Sequence, residues 1–243
     1  MKSIMIGFCV LLGGCATIPA ERLSPDDPWE SFNRGVFEFN QTADEWVLKP
    51  VAETYADVMP LTLRKSISNF FSHLDEINVL FNNLLQLKFE QAGKTTGRFL
   101  LNTAVGFFGF FDSATVYGLP KQEQDFGQTL GFWGIDKGPY VVLPMLGSST
   151  LRDSVGLAAD ISVRNLTFEQ IKHDKTQNDV YYGSYTLNLL NKRAELLGAE
   201  QLLDTAALDP YLFMRNAYLQ RRQALINKDA AKKPAISDKE LFD

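Results

Sequence analysis

The sequence predicts a mainly α-helical single domain, and three observations carry that prediction. Apolar residues recur at three- and four-residue steps through several long stretches. No run of alternating apolar and polar residues marks a series of strands. Two Asp-Pro-aromatic triplets, at Asp27 and Asp209, stand where helices would begin. A chain of 243 residues fits one domain with a substantial core.

The N-terminus precedes that domain. Met1-Lys2 and the apolar run from Ile4 to Leu12 read as a secretory leader, too short to cross a bilayer as a helix. Leu12, Gly13 and Gly14 then lead into Cys15, the pattern read by a lipoprotein signal peptidase. Residues 1–14 are therefore expected to be the signal peptide, and Cys15 the mature N-terminus, with lipid on its thiol and amino group. Two or more acyl chains anchor stably, at about 0.8 kcal/mol per buried methylene. Ala16 stands where Asp would favour retention at the inner membrane, so outer-membrane sorting is expected. Residues 15–26 form a polar, Pro-containing tether.

Asp27-Pro28-Trp29-Glu30 reads as a helix start, with Asp as N-cap, Pro at the first helical position and Glu at the third. Trp29, Phe32, Val36, Phe39, Ala43 and Trp46 continue the apolar stripe, and Pro50 marks an end or a kink. A second helix is expected from about Leu61 to Gln91, with an apolar stripe of Leu63, Ile67, Phe70, Phe71, Leu74, Ile77, Phe81 and Leu84. Residues 97–147 hold nine of the seventeen Gly and seven of the eighteen Phe, a composition suited to tight turns and close backbone approach. Gly127, Gly131 and Gly138 are read as turn residues, and Arg152 with Asp153 as a structural pair. Two apolar runs lie here, Phe99 to Phe111 and Pro139 to Leu151, each about 13 residues against the roughly 20 of a spanning helix. Such lengths suit buried helices, re-entrant segments or interfacial ones. Helical spacing returns from about Asp179 to Glu200, with Gly198 as a stop, and again from Asp209 to near Asn227. The charged stretch 228–243 reads as a disordered tail. The domain proper is thus 27–227.

Formal net charge is −5, and loss of Lys2 with the leader makes the balance one unit more negative, with no basic patch to suit nucleic acid. Cys9 leaves with the leader and Cys15 is taken by lipid, which removes cysteine nucleophiles and zinc-thiolate sites. The histidines, His73 and His173, have no partner at zinc-helix spacing, so no metal is expected. No nucleophile elbow, phosphate loop or dinucleotide fingerprint is present, and no cofactor is expected. One enzymatic alternative, a glycan hydrolase using Glu30, meets a simpler account of that residue as a helix-capping carboxylate. The expectation is that the chain is not an enzyme. Phe99, Phe107, Phe108, Phe110 and Phe111 are candidates for a surface in contact with lipid, because four Phe in five positions exceed what one helix face buries in a small domain.

Several segments together resemble the MlaA/VacJ family of outer-membrane phospholipid-transport lipoproteins, over roughly residues 25–225. They are Asp27-Pro28-Trp29-Glu30-Ser31-Phe32-Asn33-Arg34, Arg98-Phe99-Leu100-Leu101-Asn102-Thr103 and Asp125-Phe126-Gly127-Gln128-Thr129-Leu130-Gly131. Gly138-Pro139-Tyr140-Val141-Val142-Leu143-Pro144 continues into Gly147 and Thr150-Leu151-Arg152-Asp153, followed by Asp209-Pro210-Tyr211 and Ala217-Tyr218. The resemblance implies a ring-shaped bundle of short amphipathic and interfacial helices around a central channel, seated in the inner leaflet of the outer membrane. It implies phospholipid as cargo, a trimeric porin and a periplasmic lipid-binding shuttle as partners, and removal of misplaced phospholipid from the outer leaflet. Within that frame Asn33, Arg34 and Asn40, on the polar side of the first helix, are candidate channel or head-group residues, with structural hydrogen bonding as the competing account. A lipoprotein that only buttresses porins or the envelope is the alternative function.

Overall fold

The computed structural model describes residues 24–169, 175–206 and 208–230. They form nine α-helices and one two-stranded sheet: α1 (Glu30–Ala43), α2 (Lys49–Val58), α3 (Leu61–Leu85), α4 (Phe89–Ala104), α5 (Ser113–Val116), α6 (Phe126–Phe132), β1 (Tyr140–Leu143), β2 (Gly147–Thr150), α7 (Leu151–Glu169), α8 (Lys175–Ala206) and α9 (Pro210–Ala230). The mainly-α expectation holds. A single π-helical turn, Asp44–Leu48, joins α1 to α2. Pro50 is the reason: it has no N–H for the Trp46 carbonyl and its ring crowds that group, so the helix widens, and Lys49 N–H reaches back to Asp44 O.

The helix expected over 61–91 is two helices. Its break is a Schellman ending, in which Lys88 N bonds Asn83 O at 2.9 Å and Leu87 N bonds Leu84 O at 2.9 Å. The left-handed position is occupied by Leu87 (φ 57°) where glycine is usual, so the sequence carries no stop signal there. Conversely, Gly198 lies inside α8 and ends nothing. Gly127 and Gly131 are helical residues of α6, not turns: a Cβ on Gly127 would lie 2.7 Å from Asp153 Oδ1, and one on Gly156 of α7 would lie 2.3 Å from Gly127 N. These glycines let two helices touch backbone to backbone. Gly138 (φ 64°) is left-handed in the connection before β1, where its N–H bonds Asp136 Oδ1 at 2.7 Å.

The apolar run 139–151 is corrected from helix to hairpin. Tyr140 pairs with Thr150 and Leu143 with Gly147 in an antiparallel register, and Tyr140 and Val142 are buried while Val141 and Leu143 are half-buried. They join Val36 of α1 and Tyr211 of α9 in a small apolar core. α9 runs to Ala230, three residues beyond the expected end. The leader with Cys15, the tether before Ser24, His173 and residues 231–243 lie outside the described residues.

Element contacts close into a circuit. From α1 through β1 and β2 it passes to α7 and α9, both against α6; α6 meets α3, α3 meets α8, α8 meets α2, and the π-turn returns to α1. Burial along this circuit is inverted relative to an ordinary globule. Arg98, Gln86, Gln128, Glu76, Asn33, Asn82, Asn83 and Asn191 are among the most completely buried side chains, whereas Trp46, Val58, Phe89, Val116 and Trp133 are exposed.

Candidate functional site

The first polar group joins both ends of the domain. Asp27 does not cap α1; it is wholly buried, and Trp29 occupies the cap position without a side-chain bond. Its Oδ1 accepts from Asn33 Nδ2 at 2.8 Å, while Oδ2 accepts from Arg215 at 3.0 Å and from the Tyr211 hydroxyl. Burial and the Asp27 charge push the Tyr211 hydroxyl well above the usual tyrosine range, so it stays a donor. Asn33 also donates to Tyr140 O at 3.0 Å and accepts from Val142 N at 2.9 Å, pairing with β1 as a neighbouring strand would. Asn40 repeats this at the hairpin tip, donating to Leu143 O at 2.9 Å and accepting from Met145 N at 2.7 Å. Arg34 binds Glu30 and Asp209, each at 2.8 Å, and stacks over Tyr211 at 4.4 Å. Glu30 is therefore engaged by Arg34 and, at 3.6 Å, by Arg215; ion pairing, not helix capping, accounts for it. All three candidate channel residues have polar groups bonded within the protein, Asn33 and Arg34 at this junction and Asn40 at the hairpin tip. Arg34 remains one-third exposed.

Asp209 is a true N-cap, accepting from Leu212 N at 3.1 Å. Nearby, Arg222 of α9 bridges Asp125 of α6 and Asp153 of α7 at 2.5–2.9 Å, and Arg152 bonds Asp153 at 2.9 Å, the expected structural pair. Burial works against both carboxylates, but the Arg222 guanidinium outweighs it and holds them below the usual aspartate range.

Phe107 to Phe111 follow α4 as a loop. Phe107 (φ 51°), Phe108 (φ 56°) and Gly109 (φ 88°) are left-handed, and a Cβ on Gly109 would lie 2.4 Å from the His73 Cβ. The loop's backbone is bonded internally: Phe108 N to Thr103 O, Gly109 N to Asn102 O, Phe110 N to Phe107 O and Phe111 N to Gly106 O. Four consecutive backbone N–H groups, from Phe108 to Phe111, are thereby paired without help from a neighbouring strand. Phe107, Phe108 and Phe111 are mostly exposed; Phe110 stacks on Phe70 at 5.1 Å, and Phe99, half-buried, stacks on His73 at 4.5 Å.

Beneath the loop lies a second polar group, which sequence reasoning did not single out. Arg98 of α4, 2% exposed, binds Glu76 of α3 at 2.7 Å, Asp112 at 3.1 Å and Thr115 at 3.0 Å. Burial raises the Glu76 carboxyl, with Arg98 acting against it. A polar cavity of about 230 Å3 adjoins this cluster. The local sequence carries no signal for it, since Glu76 lies off the apolar stripe of its helix. A larger, apolar groove of about 500 Å3 runs between α2 and α8, lined by Pro50, Val51, Tyr55, Val58 and Leu190. Among the described residues no group of three or more His, Cys, Asp or Glu is placed to hold a metal ion, and no helix is long and apolar enough to cross a membrane.

Fold and site together define an α-helical domain turned largely inside out, many of its ionic and amide groups buried and its tryptophans and many phenylalanines outward. The chain belongs to the MlaA lipoprotein family, whose model matches residues 25–225. The intermembrane phospholipid transport system lipoprotein MlaA of Shigella flexneri is 37% identical over 231 residues, covering 93% of this chain and 88% of the relative. The protein of the same name from Escherichia coli K12 gives the same figures, and that from Haemophilus influenzae is 30% identical, covering 90% of this chain and 87% of its own. A solved structure that underlies work on the structural basis for maintenance of bacterial outer membrane lipid asymmetry superposes with a TM-score of 0.68 at 35% identity, over 83% of this chain and 99% of that one.

Proposed function

We propose that this protein is an outer-membrane lipoprotein that passes phospholipid through a polar channel, removing it from the outer leaflet and handing it to a periplasmic carrier. One observation carries the reading: the chain buries amides and ion pairs and exposes aromatics, along a closed circuit of helices. Moving a charged head group through hydrocarbon is the costly step of lipid transfer. A ring with a polar inner wall lowers that cost, while its outer wall stays solvated by acyl chains. One leaflet is about half of the roughly 30 Å hydrocarbon core, or about ten helical residues, so short helices and the Phe107–Phe111 loop suit that depth. The relatives named for phospholipid transport support the cargo.

In this proposal Cys15 carries the lipid anchor, and Phe107, Phe108, Phe110 and Phe111 add a second contact with the inner leaflet, backed by Phe99. Of the three head-group candidates Arg34 keeps free surface for phosphate, whereas Asn33 and Asn40 act by fixing the hairpin wall. A trimeric porin and a lipid-binding shuttle are the proposed protein partners. Deleting the gene should raise outer-leaflet phospholipid and sensitivity to detergent with chelator; wild-type asymmetry in the deletion strain sinks the reading.

The structural alternative, a lipoprotein that buttresses porin, is favoured by the internal bonding of Asn33 and Asn40. It requires that bulky substitutions at Arg34 leave asymmetry intact while porin association survives. A Glu30→Gln variant tests the glycan-hydrolase alternative, and the transport reading expects no cell-wall lytic activity in the unsubstituted protein.

A further inference from the structure

We propose that the cavity between α3, α4 and the segment after the phenylalanine loop seats the head group of a phospholipid bearing N–H or O–H donors, its acyl chains lying over Phe107, Phe108 and Phe111. The assignment deepens the transport reading and rests on it.

The first support is the contrast across a short distance. Ser68, Asn69 and Ser72 of α3 line the cavity together with His73, Asp112 and Lys121, so its wall is polar. Asp112 follows directly on Phe111, and Asn69 Nδ2 donates to Phe110 O at 3.3 Å. A polar hole therefore opens beside an exposed aromatic surface, the pairing that a molecule with a charged head and apolar tails requires. The second support is charge of both signs. Lys121 offers an ammonium for phosphate, and Asp112, whose Oδ1 accepts from Arg98, Asn102 and Thr115 N and whose Oδ2 accepts from Thr115 Oγ1, adds negative charge to the wall facing a cationic terminus.

The third support is His73. Thr103 Oγ1 donates to Phe99 O at 2.7 Å, so at 3.2 Å from His73 Nε2 it can only accept. The ring proton therefore sits on Nε2. Burial, and secondarily Arg98, hold the ring below the usual histidine range, which keeps it neutral. Nδ1 is then a buried acceptor without a donor among the described residues. The ring lines the cavity with Nδ1 itself covered; in the proposed complex the head group displaces that cover and supplies the missing donor. The ammonium of ethanolamine and the hydroxyls of glycerol carry such hydrogens; the trimethylammonium of choline does not. The site thus discriminates by the presence of a donor.

The test uses purified full-length protein in micelles containing equal phosphatidylethanolamine, phosphatidylglycerol and phosphatidylcholine, with retained lipid measured by mass spectrometry. The wild type should retain each donor-bearing lipid about tenfold over phosphatidylcholine. His73→Phe keeps the stack on Phe99 but removes the acceptor, and should bring that ratio near one. His73→Asn restores an acceptor oxygen and should restore the ratio. Lys121→Met should weaken retention of all three lipids by a similar factor, leaving the ratio unchanged. Glycerophosphoethanolamine, the same head without chains, should not displace bound lipid at equal concentration; displacement by it assigns the cavity to a soluble phosphate ester and overturns the proposal. A wild-type ratio near one overturns the head-group site and leaves lipid transport standing, and it does so whether or not His73→Phe folds. Failure of the wild type to retain any phospholipid overturns the transport reading itself.

Discussion

The two apolar runs, Phe99–Phe111 and Pro139–Leu151, are alike in length and opposite in fate. The first ends in a loop that puts Phe107, Phe108 and Phe111 outside; the second folds into a hairpin that puts Tyr140 and Val142 in the core. Their local chemistry differs in two ways. The first run is punctuated by Gly106 and Gly109, where the backbone closes into a tight loop with no room for a Cβ. The second carries Val141 and Val142, whose branched side chains suit a pleated surface, and its strand is met by the amide of Asn33. Hydrophobicity alone therefore assigns neither run to lipid or core. What assigns them is whether the rest of the chain offers partners for the backbone and a surface for the side chains.

The comparison can be broken most decisively at Asp27. Asp27→Ala leaves Arg215 and Tyr211 without their buried partner, and should cost about 3–5 kcal/mol in urea unfolding followed in detergent. A loss under about 1 kcal/mol means that the hairpin side does not depend on this junction. At the other run, Phe107→Ser and Phe108→Ser should barely alter unfolding yet weaken membrane partition by about 1.5–3 kcal/mol per side chain, read by vesicle flotation in a Cys15→Ala background. Unchanged flotation would place these rings away from lipid. Asn40→Ala should cost about 1–2 kcal/mol and speed amide exchange at Met145, since the hairpin tip loses both of its side-chain bonds to α1. The smallest effect is expected at Ser148→Ala, about 0.5–1.5 kcal/mol, through loss of the 2.8 Å contact between Ser148 Oγ and the Tyr140 hydroxyl. A larger cost there would show that the hairpin is held by its own strands more than by α1.

Local patterns were legible and distant partners were not. The periodicity of α1, α3 and α8, the capping by Asp209 and the exposure of Phe107, Phe108 and Phe111 all follow from spacing or composition within a few residues. Asp27 shows the limit. Its Asp-Pro context imitates Asp209, yet its carboxylate is claimed by Arg215 and Tyr211 from the far end of the chain, which no local rule reveals. The hairpin escaped for a similar reason, because its tip places Met145 (φ 63°) where Gly or Asn would have announced a turn. Leu87 hid the α3–α4 break in the same way. At the candidate site, Phe composition flagged the outer surface, while the Glu76–Arg98 pair beneath it looked like ordinary helix charge until the burial of both side chains was known.

The junction of Asp27 with Tyr211 and Arg215 also bears on the order in which the molecule is made. These residues are separated by 184 and 188 positions, so the carboxylate that opens the domain finds its partners only when the last helix emerges. Until then the circuit has a free end: Asn33 can bond strand β1 and Asp27 can bond Asn33, but Asp27 lacks the two partners that α9 brings. Closure is an event of the completed chain. A polypeptide whose domain closes through α9 leaves this junction unformed until that helix has been made.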